Sequence, residues 1–213
     1  MPTDFQQVIA TPTGAYGEGL RFFGGVGCVN NTLKRLVKDL EDRGIAYSVI
    51  GAIALNQHGY QRFTQDIDLL LTQEGLERFH AELVGCGYRP AFEGARKKFR
   101  ATTENVPIEV ITTGEYPGDG KPKNIVFPEP ESVSIRIDGV QTLTLEKLIE
   151  LKLASGMTGL GRRKDLADVQ ELIRMKKLPA TLAEALDISV RAMYLELHRE
   201  LELADLAEQE KQS

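Results

Sequence analysis

Hydrophobic residues recur along this chain with two different periods, and the change of period divides it into regions. Between residues 29 and 143, short apolar runs alternate with stretches in which apolar residues return every three or four positions. This alternation predicts a mixed sheet flanked by helices, so the expected fold class is α+β. We predict helices at about 31–44, 51–58 and 72–85, and strands at about 46–50, 66–71, 88–92, 97–103, 107–112 and 133–143.

After Thr144 the apolar period is helical throughout, which predicts a C-terminal helical region. Before residue 29, six glycines interrupt the chain without any sustained apolar period, which predicts a flexible N-terminal arm. The predicted domains are therefore 1–28, 29–143 and 144–213. Within the last of them we expect helices at about 144–155, 162–176, 181–186 and 188–208.

The net charge and the lengths of the apolar runs exclude some classes of function. The chain has 213 residues, with 26 Lys and Arg against 31 Asp and Glu, which gives a net charge of −5. Such an acidic protein is unsuited to sequence-independent duplex binding, although it can still contact RNA locally. The longest apolar run, from Ile45 to Leu55, is too short for a membrane span, and the first residues lack the features of a signal peptide. We therefore expect a cytoplasmic protein without a membrane partner.

Acidic residues in two predicted strands are the most informative chemistry. In a strand, residues two apart face the same way, so Asp66 and Asp68 project two carboxylates together. Like charges this close repel unless a cation lies between them, and Mg²⁺ is commonly held by carboxylates plus substrate phosphates. Glu109, the sole charge of another short apolar strand, adds a third carboxylate if the two strands are neighbours. Three carboxylates suffice for two metal ions, an arrangement that serves phosphoryl or nucleotidyl transfer.

A glycine at the junction of a predicted strand and helix, Gly51, extends this hypothesis. A residue without a side chain lets the backbone approach a ligand, and a helix N-terminus offers free N–H groups to a triphosphate. Between this glycine and the aspartates, Arg62 and Thr64 could support phosphate or metal ligands.

Each of these candidates also has a structural interpretation. The two aspartates can form a solvated strand face, and Glu109 can be an exposed residue of an edge strand. Lys152 lies on an apolar helix stripe, where it either pairs with Asp165 or Asp168 or reaches a triphosphate. The basic residues within 96–100 could approach a nucleotide or an RNA acceptor, but alternating charges on a strand favour a solvated face.

Residues 49–52 (VIGA) followed by 59–68 (GYQRFTQDID) resemble the signature of the nucleotidyltransferase superfamily with the DNA polymerase β-type palm. The chain most resembles the bacterial branch that includes abortive-infection toxin nucleotidyltransferases and small antibiotic nucleotidyltransferases. The family pattern is a Gly-Gly or Gly-Ser pair, a short helix, Asp-x-Asp on a strand and a later strand acid. Residues 148–154 and 163–168 look like the helical segment that follows the catalytic domain in this branch.

This resemblance implies a fold, a reaction and a set of site residues. The reaction moves a nucleoside monophosphate from an NTP to an acceptor, with Mg²⁺ or Mn²⁺ as cofactor and pyrophosphate as the second product. The acceptor could be RNA, a protein or a small molecule. By this resemblance Asp66, Asp68 and Glu109 are catalytic and hold the metal. The residues assigned to nucleotide binding are Gly51, Ala52, Arg62, Thr64 and Lys152.

One position departs from the family pattern. Ala52 stands second in the glycine pair and has no hydroxyl to offer a phosphate. The alternative hypothesis is therefore a nucleotidyltransferase-like protein that binds nucleotides or regulates a partner without turnover, against which the three acids argue. The toxin-like branch further implies a cognate antitoxin, and the apolar spacing of the last helix could serve a homodimer or a packed helical module.

Overall fold

The computed structural model describes residues 4–212, except for the side chains at positions 160, 209, 211 and 212. The first three residues of the predicted arm and Ser213 lie outside the described residues. The chain divides into two compact units, the first formed by residues up to 57, 61–113 and 128–143. The second unit comprises residues 58–60, 114–127 and those from 144 onward. The boundary near residue 143 lies where the apolar period of the sequence changes.

The first unit contains a seven-stranded sheet and six helices among its described residues. The helices are α1 (Phe5–Ile9), α2 (Pro12–Phe23), α3 (Cys28–Asp42), α4 (Gly51–Gln57), α5 (Gln73–Glu82) and α6 (Pro130–Val133). The strands are β1 (Tyr47–Val49), β2 (Ile67–Leu71), β3 (Tyr88–Pro90), β4 (Lys98–Ala101), β5 (Pro107–Thr112), β6 (Ser134–Ile137) and β7 (Val140–Leu143).

The sheet has the strand order β3-β4-β5-β2-β1-β7-β6. The β2–β5 and β1–β7 pairs are parallel, and the other neighbours are antiparallel. Its central strand β2 places Ile67, Leu69 and Leu71 in one core with the apolar faces of α3 and α5. The mixed sheet with flanking helices confirms the predicted α+β fold class.

The N-terminal segment differs from the predicted flexible arm. Residues 5–23 form α1 and α2, and their Phe5 and Phe22 side chains are buried in the core of the first unit. The glycines there gave a misleading signal, because Gly14 serves close packing: a Cβ at this position would lie 2.0 Å from the Val8 carbonyl oxygen. Absence of a side chain therefore allows α1 and α2 to approach one another.

A buried carboxylate ties this segment to the body of the unit. The Phe5 N–H donates to the Glu104 carbonyl oxygen at 2.8 Å. The Glu104 carboxylate accepts hydrogen bonds from Thr32 at 3.1 Å and from Arg35 at 2.9 Å. Burial acts to raise the pKa of Glu104, but the hydrogen bonds and charge of Arg35 outweigh it and hold the pKa below its ordinary value.

The predicted strand at 133–143 is in fact a hairpin of β6 and β7. Asp138 and Gly139 both have positive φ, at 47° and 84°, and turn the chain between the two strands. An Asp-Gly pair is a strong sequence signal for such a two-residue turn. The strand period alone did not anticipate this reversal.

From residue 145 onward the second unit is mainly helical, as the sequence predicts. Its α-helices are α7 (Leu145–Gly156), α8 (Arg163–Lys176) and α9 (Ile188–Gln212), and the predicted helix at 181–186 is a 3₁₀ segment, Ala180–Ala185. Val190, Tyr194 and Leu197 of α9 are buried, whereas the described side chains beyond residue 201 are exposed. Within the described residues, none of the helices combines the length and apolar character that a membrane crossing requires.

Adjacent phenylalanines of α2 allow a matched test of how the N-terminal segment packs. Phe22 is 7% exposed and Phe23 is 50% exposed. We expect Phe22→Ala to lower the free energy of unfolding by about 3 kcal/mol, because it removes a core side chain. Phe23→Ala should cost no more than about 1 kcal/mol. Urea denaturation measures both values, and equally small losses would show that the segment is not part of the core.

Candidate active site

Two neighbouring strands carry the candidate acids. β2 and β5 are parallel, and Asp68 is paired in register with Glu109. Side chains at paired positions of a ladder project on the same face, so these two carboxylates share one face of the sheet. β5 lies between β4 and β2, which excludes the edge-strand interpretation of Glu109. Asp66 directly precedes β2, and all three acids are half-buried.

The carboxylate of Asp68 lies against the first residue of α4. Gly51 has φ +63°, and a Cβ built on it would lie 2.0 Å from Oδ2 and 2.9 Å from Cγ of Asp68. The Ile50 N–H donates to the Asp68 carbonyl oxygen at 3.0 Å. This bond holds the backbone just before Gly51 next to the backbone of Asp68. Only glycine meets both demands, because any side chain would be strained at this φ and would displace the carboxylate.

The second aspartate is oriented by a threonine. Thr64 is buried, and its hydroxyl donates to Oδ1 of Asp66 at 2.5 Å. Such a hydrogen bond fixes the direction of the carboxylate. Thr64, assigned to nucleotide binding from the sequence, thus contacts the candidate acid Asp66 directly.

The loop between α4 and β2 is held by Asn56, a residue that the sequence analysis missed. Its amide donates to the carbonyl oxygens of Ala52 and Arg62, each at 2.7 Å, and its Oδ1 accepts the Arg62 N–H at 2.9 Å. These bonds fix the backbone of Arg62 relative to α4. The only sequence signal was an amide that follows the apolar residues 53–55. Ala52 itself is a buried residue of α4.

Glu109 has a basic neighbour on its other side. Lys98 of β4 is paired in register with Glu109, and its Nζ lies 3.5 Å from Oε1 of Glu109. The side chains are 56% and 45% exposed, so water screens this ion pair. Lys98 thus brings a positive charge to the row of paired residues that includes Asp68.

The donor chemistry of the three acids suits a hard divalent cation. Their carboxylate oxygens are the ligands that Mg²⁺ and Mn²⁺ prefer. Over residues 4–212, no group of three or more His, Cys, Asp and Glu side chains is already assembled as a metal cluster. By donor chemistry the three acids therefore fit such an ion, and the ladder places two of them, Asp68 and Glu109, on one face of the sheet.

Lys152 lies in the second unit and forms an ion-pair cluster there. Its Nζ is 3.0 Å from Oδ1 of Asp165 and 2.7 Å from Oδ2 of Asp168. The Ser155 hydroxyl donates to the other oxygen of Asp165 at 2.6 Å. Lys152 and Asp168 are both buried, so each charge depends on the other. These contacts are the ones that the structural interpretation of Lys152 requires.

Alanine substitutions at two glycines with nearly equal φ distinguish the cost of backbone strain from the cost of displacing the Asp68 carboxylate. Gly44 has φ +61° and open space around a Cβ, whereas Gly51 has φ +63° and faces Asp68. We expect Gly44→Ala to lower the free energy of unfolding by about 1 to 2 kcal/mol through strain alone. Gly51→Ala should cost clearly more, because the carboxylate must also move. Urea denaturation compares the two variants, and equal losses would contradict the close approach.

Removing the charge of Lys152 tests its structural role. Lys152→Met removes the cation that Asp165 and Asp168 share and should lower the free energy of unfolding by about 3 to 5 kcal/mol. Adding Asp168→Asn should restore part of this loss, since it removes a buried negative charge that has lost the nearby ammonium. Lys164→Met, at an exposed position of α8, is the control. Denaturation curves that match the wild type would leave the structural role of Lys152 unsupported.

Comparison with solved structures places this fold among known ones. The crystal structure of ANT(2")-Ia in complex with adenylyl-2"-tobramycin matches with a TM-score of 0.52 at 16% identity, over 77% of this chain and 95% of that chain. The lincomycin-bound lincosamide antibiotic adenylyltransferase LnuA matches with a TM-score of 0.44 at 15% identity, over 66% of this chain and 93% of that chain.

An antigenic nucleotidyltransferase-like protein from Paracoccidioides brasiliensis matches with a TM-score of 0.45 at 15% identity, over 68% of this chain and 75% of that chain. No family model and no curated protein matches the sequence. The match to ANT(2")-Ia, which spans nearly all of that chain, confirms the fold that the sequence resemblance implied. This chain has the fold of a nucleotidyltransferase.

Proposed function

We propose that this protein is a metal-dependent nucleotidyltransferase, which moves a nucleoside monophosphate from an NTP to an acceptor and releases pyrophosphate. One observation carries the proposal: Asp68 is paired with Glu109 across parallel strands while its carboxylate lies against Gly51. The similar fold of ANT(2")-Ia, a structure solved with an adenylylated aminoglycoside, supports the same reaction class.

In the proposed reaction, an acceptor oxygen forms a bond to the α-phosphorus of the NTP. The bond from that phosphorus to the bridging oxygen of the β-phosphate breaks, and pyrophosphate leaves. The acceptor proton passes to a base, a role that we give to Glu109. Divalent metal, when bound, neutralises phosphate charge and polarises the reacting oxygens. Most of the rate enhancement then comes from positioning and from charge complementarity.

In this proposal, different residues hold the metal and contact the triphosphate. Asp66 and Asp68 hold the metal, and each is fixed by a neighbour: Thr64 through a hydrogen bond and Gly51 through close packing. Preorganised carboxylates need no rearrangement when substrate binds, which favours the transition state. Arg62, whose backbone is held by Asn56, is proposed to meet the triphosphate.

Several finer features belong to this proposal as expectations. They are the choice of Mg²⁺ or Mn²⁺, a toxin role with a cognate antitoxin, and a homodimer formed through α9. The exposed end of α9 carries Leu203 and Leu206, which a second copy of the chain could cover. The rival hypothesis, nucleotide binding without turnover, is favoured by the alanine at position 52.

Charge-removing substitutions test the enzyme proposal. We expect Asp66→Asn, Asp68→Asn and Glu109→Gln each to lower pyrophosphate release by about 100-fold or more, because each removes a group that acts on the transition state. The assay supplies each of the four NTPs with Mg²⁺ or Mn²⁺, and total RNA and protein from a lysate serve as acceptors. Glu77→Gln, at an exposed position of α5, is the matched control.

Calorimetry with the same nucleotides separates the enzyme from its rival. Metal-dependent nucleotide binding together with label transfer supports the enzyme. Metal-dependent binding without pyrophosphate release under any of these conditions would instead support the regulatory hypothesis. Activity that survives all three acid substitutions would overturn the assigned site.

A further inference from the structure

The loop between β3 and β4 and the first residue of β4 place an exposed aromatic ring and two exposed cations around one cavity, and one of these cations contacts a candidate catalytic acid. Residues 92 and 94–98 line a shallow cavity of about 290 Å³. Phe92 is 62% exposed, and Arg96 is also at the surface. Lys98, at the end of the loop, lies 3.5 Å from Glu109. Nothing in the reaction derived above uses Phe92 or Arg96.

The basic residues between positions 96 and 100 form two groups, according to their contacts. The ammonium of Lys97 donates to the Thr112 hydroxyl at 3.0 Å, and Arg100 donates to the Asn105 carbonyl oxygen at 2.9 Å. These two cations therefore serve the fold of the first unit. Arg96 and Lys98 are the ones that share the exposed surface with Phe92.

The loop is held by contacts to its surroundings. The Ala91 N–H donates to the Lys98 carbonyl oxygen at 2.8 Å, and a second backbone bond of 3.1 Å joins Ala95 to Phe92. His80 of α5 contacts the Arg96 carbonyl oxygen at 2.7 Å. A platform that is already ordered costs less conformational entropy when a ligand binds.

We propose that Phe92, Arg96 and Lys98 form an acceptor subsite for single-stranded nucleic acid, with a base stacked on Phe92 and phosphates near the two cations. The assignment rests on the proposed function, because it derives its position from Glu109 as the acceptor base. Stacking on an exposed aromatic ring combined with cations is how proteins bind unpaired bases. A polycationic aminoglycoside, by contrast, would meet repulsion from Arg96 and Lys98.

This subsite also agrees with the acidic composition of the whole chain. A net charge of −5 disfavours the broad phosphate contact that a duplex requires. One aromatic ring and two nearby cations can contact only a few nucleotides, and the ring can stack only on a base that is unpaired. The subsite therefore selects single strands over duplexes.

Fluorescence anisotropy on the full chain tests the subsite without relying on turnover. The probes are a fluorescein-labelled ribonucleotide hexamer, the same hexamer in a duplex, and AMP and tobramycin as competitors. We expect Phe92→Ala to weaken hexamer binding about tenfold, since it removes one stacking contact. Arg96→Gln should weaken binding and reduce the slope of log affinity against log salt by about one.

Matched variants control for nonspecific effects. Phe23→Ala removes another exposed ring, and Arg199→Gln removes another exposed guanidinium, so both should bind the hexamer like the wild type. Thermal unfolding of Phe92→Ala should match the wild type because the ring is exposed. Hexamer binding that Phe92→Ala leaves unchanged, or a duplex bound as tightly as the single strand, would overturn the proposal.

The remaining outcomes separate the subsite from the enzyme. If AMP competes as strongly as the unlabelled hexamer, the result supports the same stacking and phosphate contacts, with a mononucleotide as the ligand. Hexamer binding that depends on Phe92 and Arg96, without pyrophosphate release, supports a nucleic-acid site at these residues and overturns both the enzyme proposal and the acceptor role of the site. Pyrophosphate release with tobramycin as acceptor and no hexamer binding would overturn the subsite and leave the enzyme proposal standing.

Discussion

The candidate site depends on one close contact, that of the Asp68 carboxylate with the bare backbone of Gly51. A methyl group at position 51 would occupy the space of the carboxylate oxygen, so the two residues constrain one another. The same contact fixes where α4 begins relative to β2. The acid, the turn and the helix are therefore parts of a single arrangement, and the neighbouring bonds of Thr64 and Asn56 extend it to Asp66 and the preceding loop.

The parallel pairing of β2 with β5 supplies the second constraint. It brings Glu109 next to Asp68, although α5, β3 and β4 separate the two residues along the chain. Antiparallel pairing of β4 with β5 then adds Lys98 to the same row. The row therefore holds two acids and one cation on neighbouring strands. The sheet register thus decides which charges act together.

The N-terminal segment shows why composition can mislead. Glycines at high density predict a mobile chain when only local preferences are considered. Here Gly14 is required by the close approach of two helices, and Phe22 contributes to the core. The hydrogen bond from Phe5 to Glu104 has the same nonlocal origin. Packing between distant segments overrides the local signal.

The sequence by itself determined most of the helices and strands between residues 29 and 208, because periodicity and strand alternation are properties of neighbouring residues. The hairpin at 134–143, the short helix α6 and the 3₁₀ segment at 180–185 are the exceptions. The sequence also singled out the glycine and the aspartates of the candidate site. Only the tertiary structure decided that Glu109 stands beside Asp68, that Lys98 faces Glu109, and that Lys152 is bound by two aspartates. The physical reason is that strand register and ion pairing join residues far apart in the chain, and no local pattern records which distant partner a residue will meet.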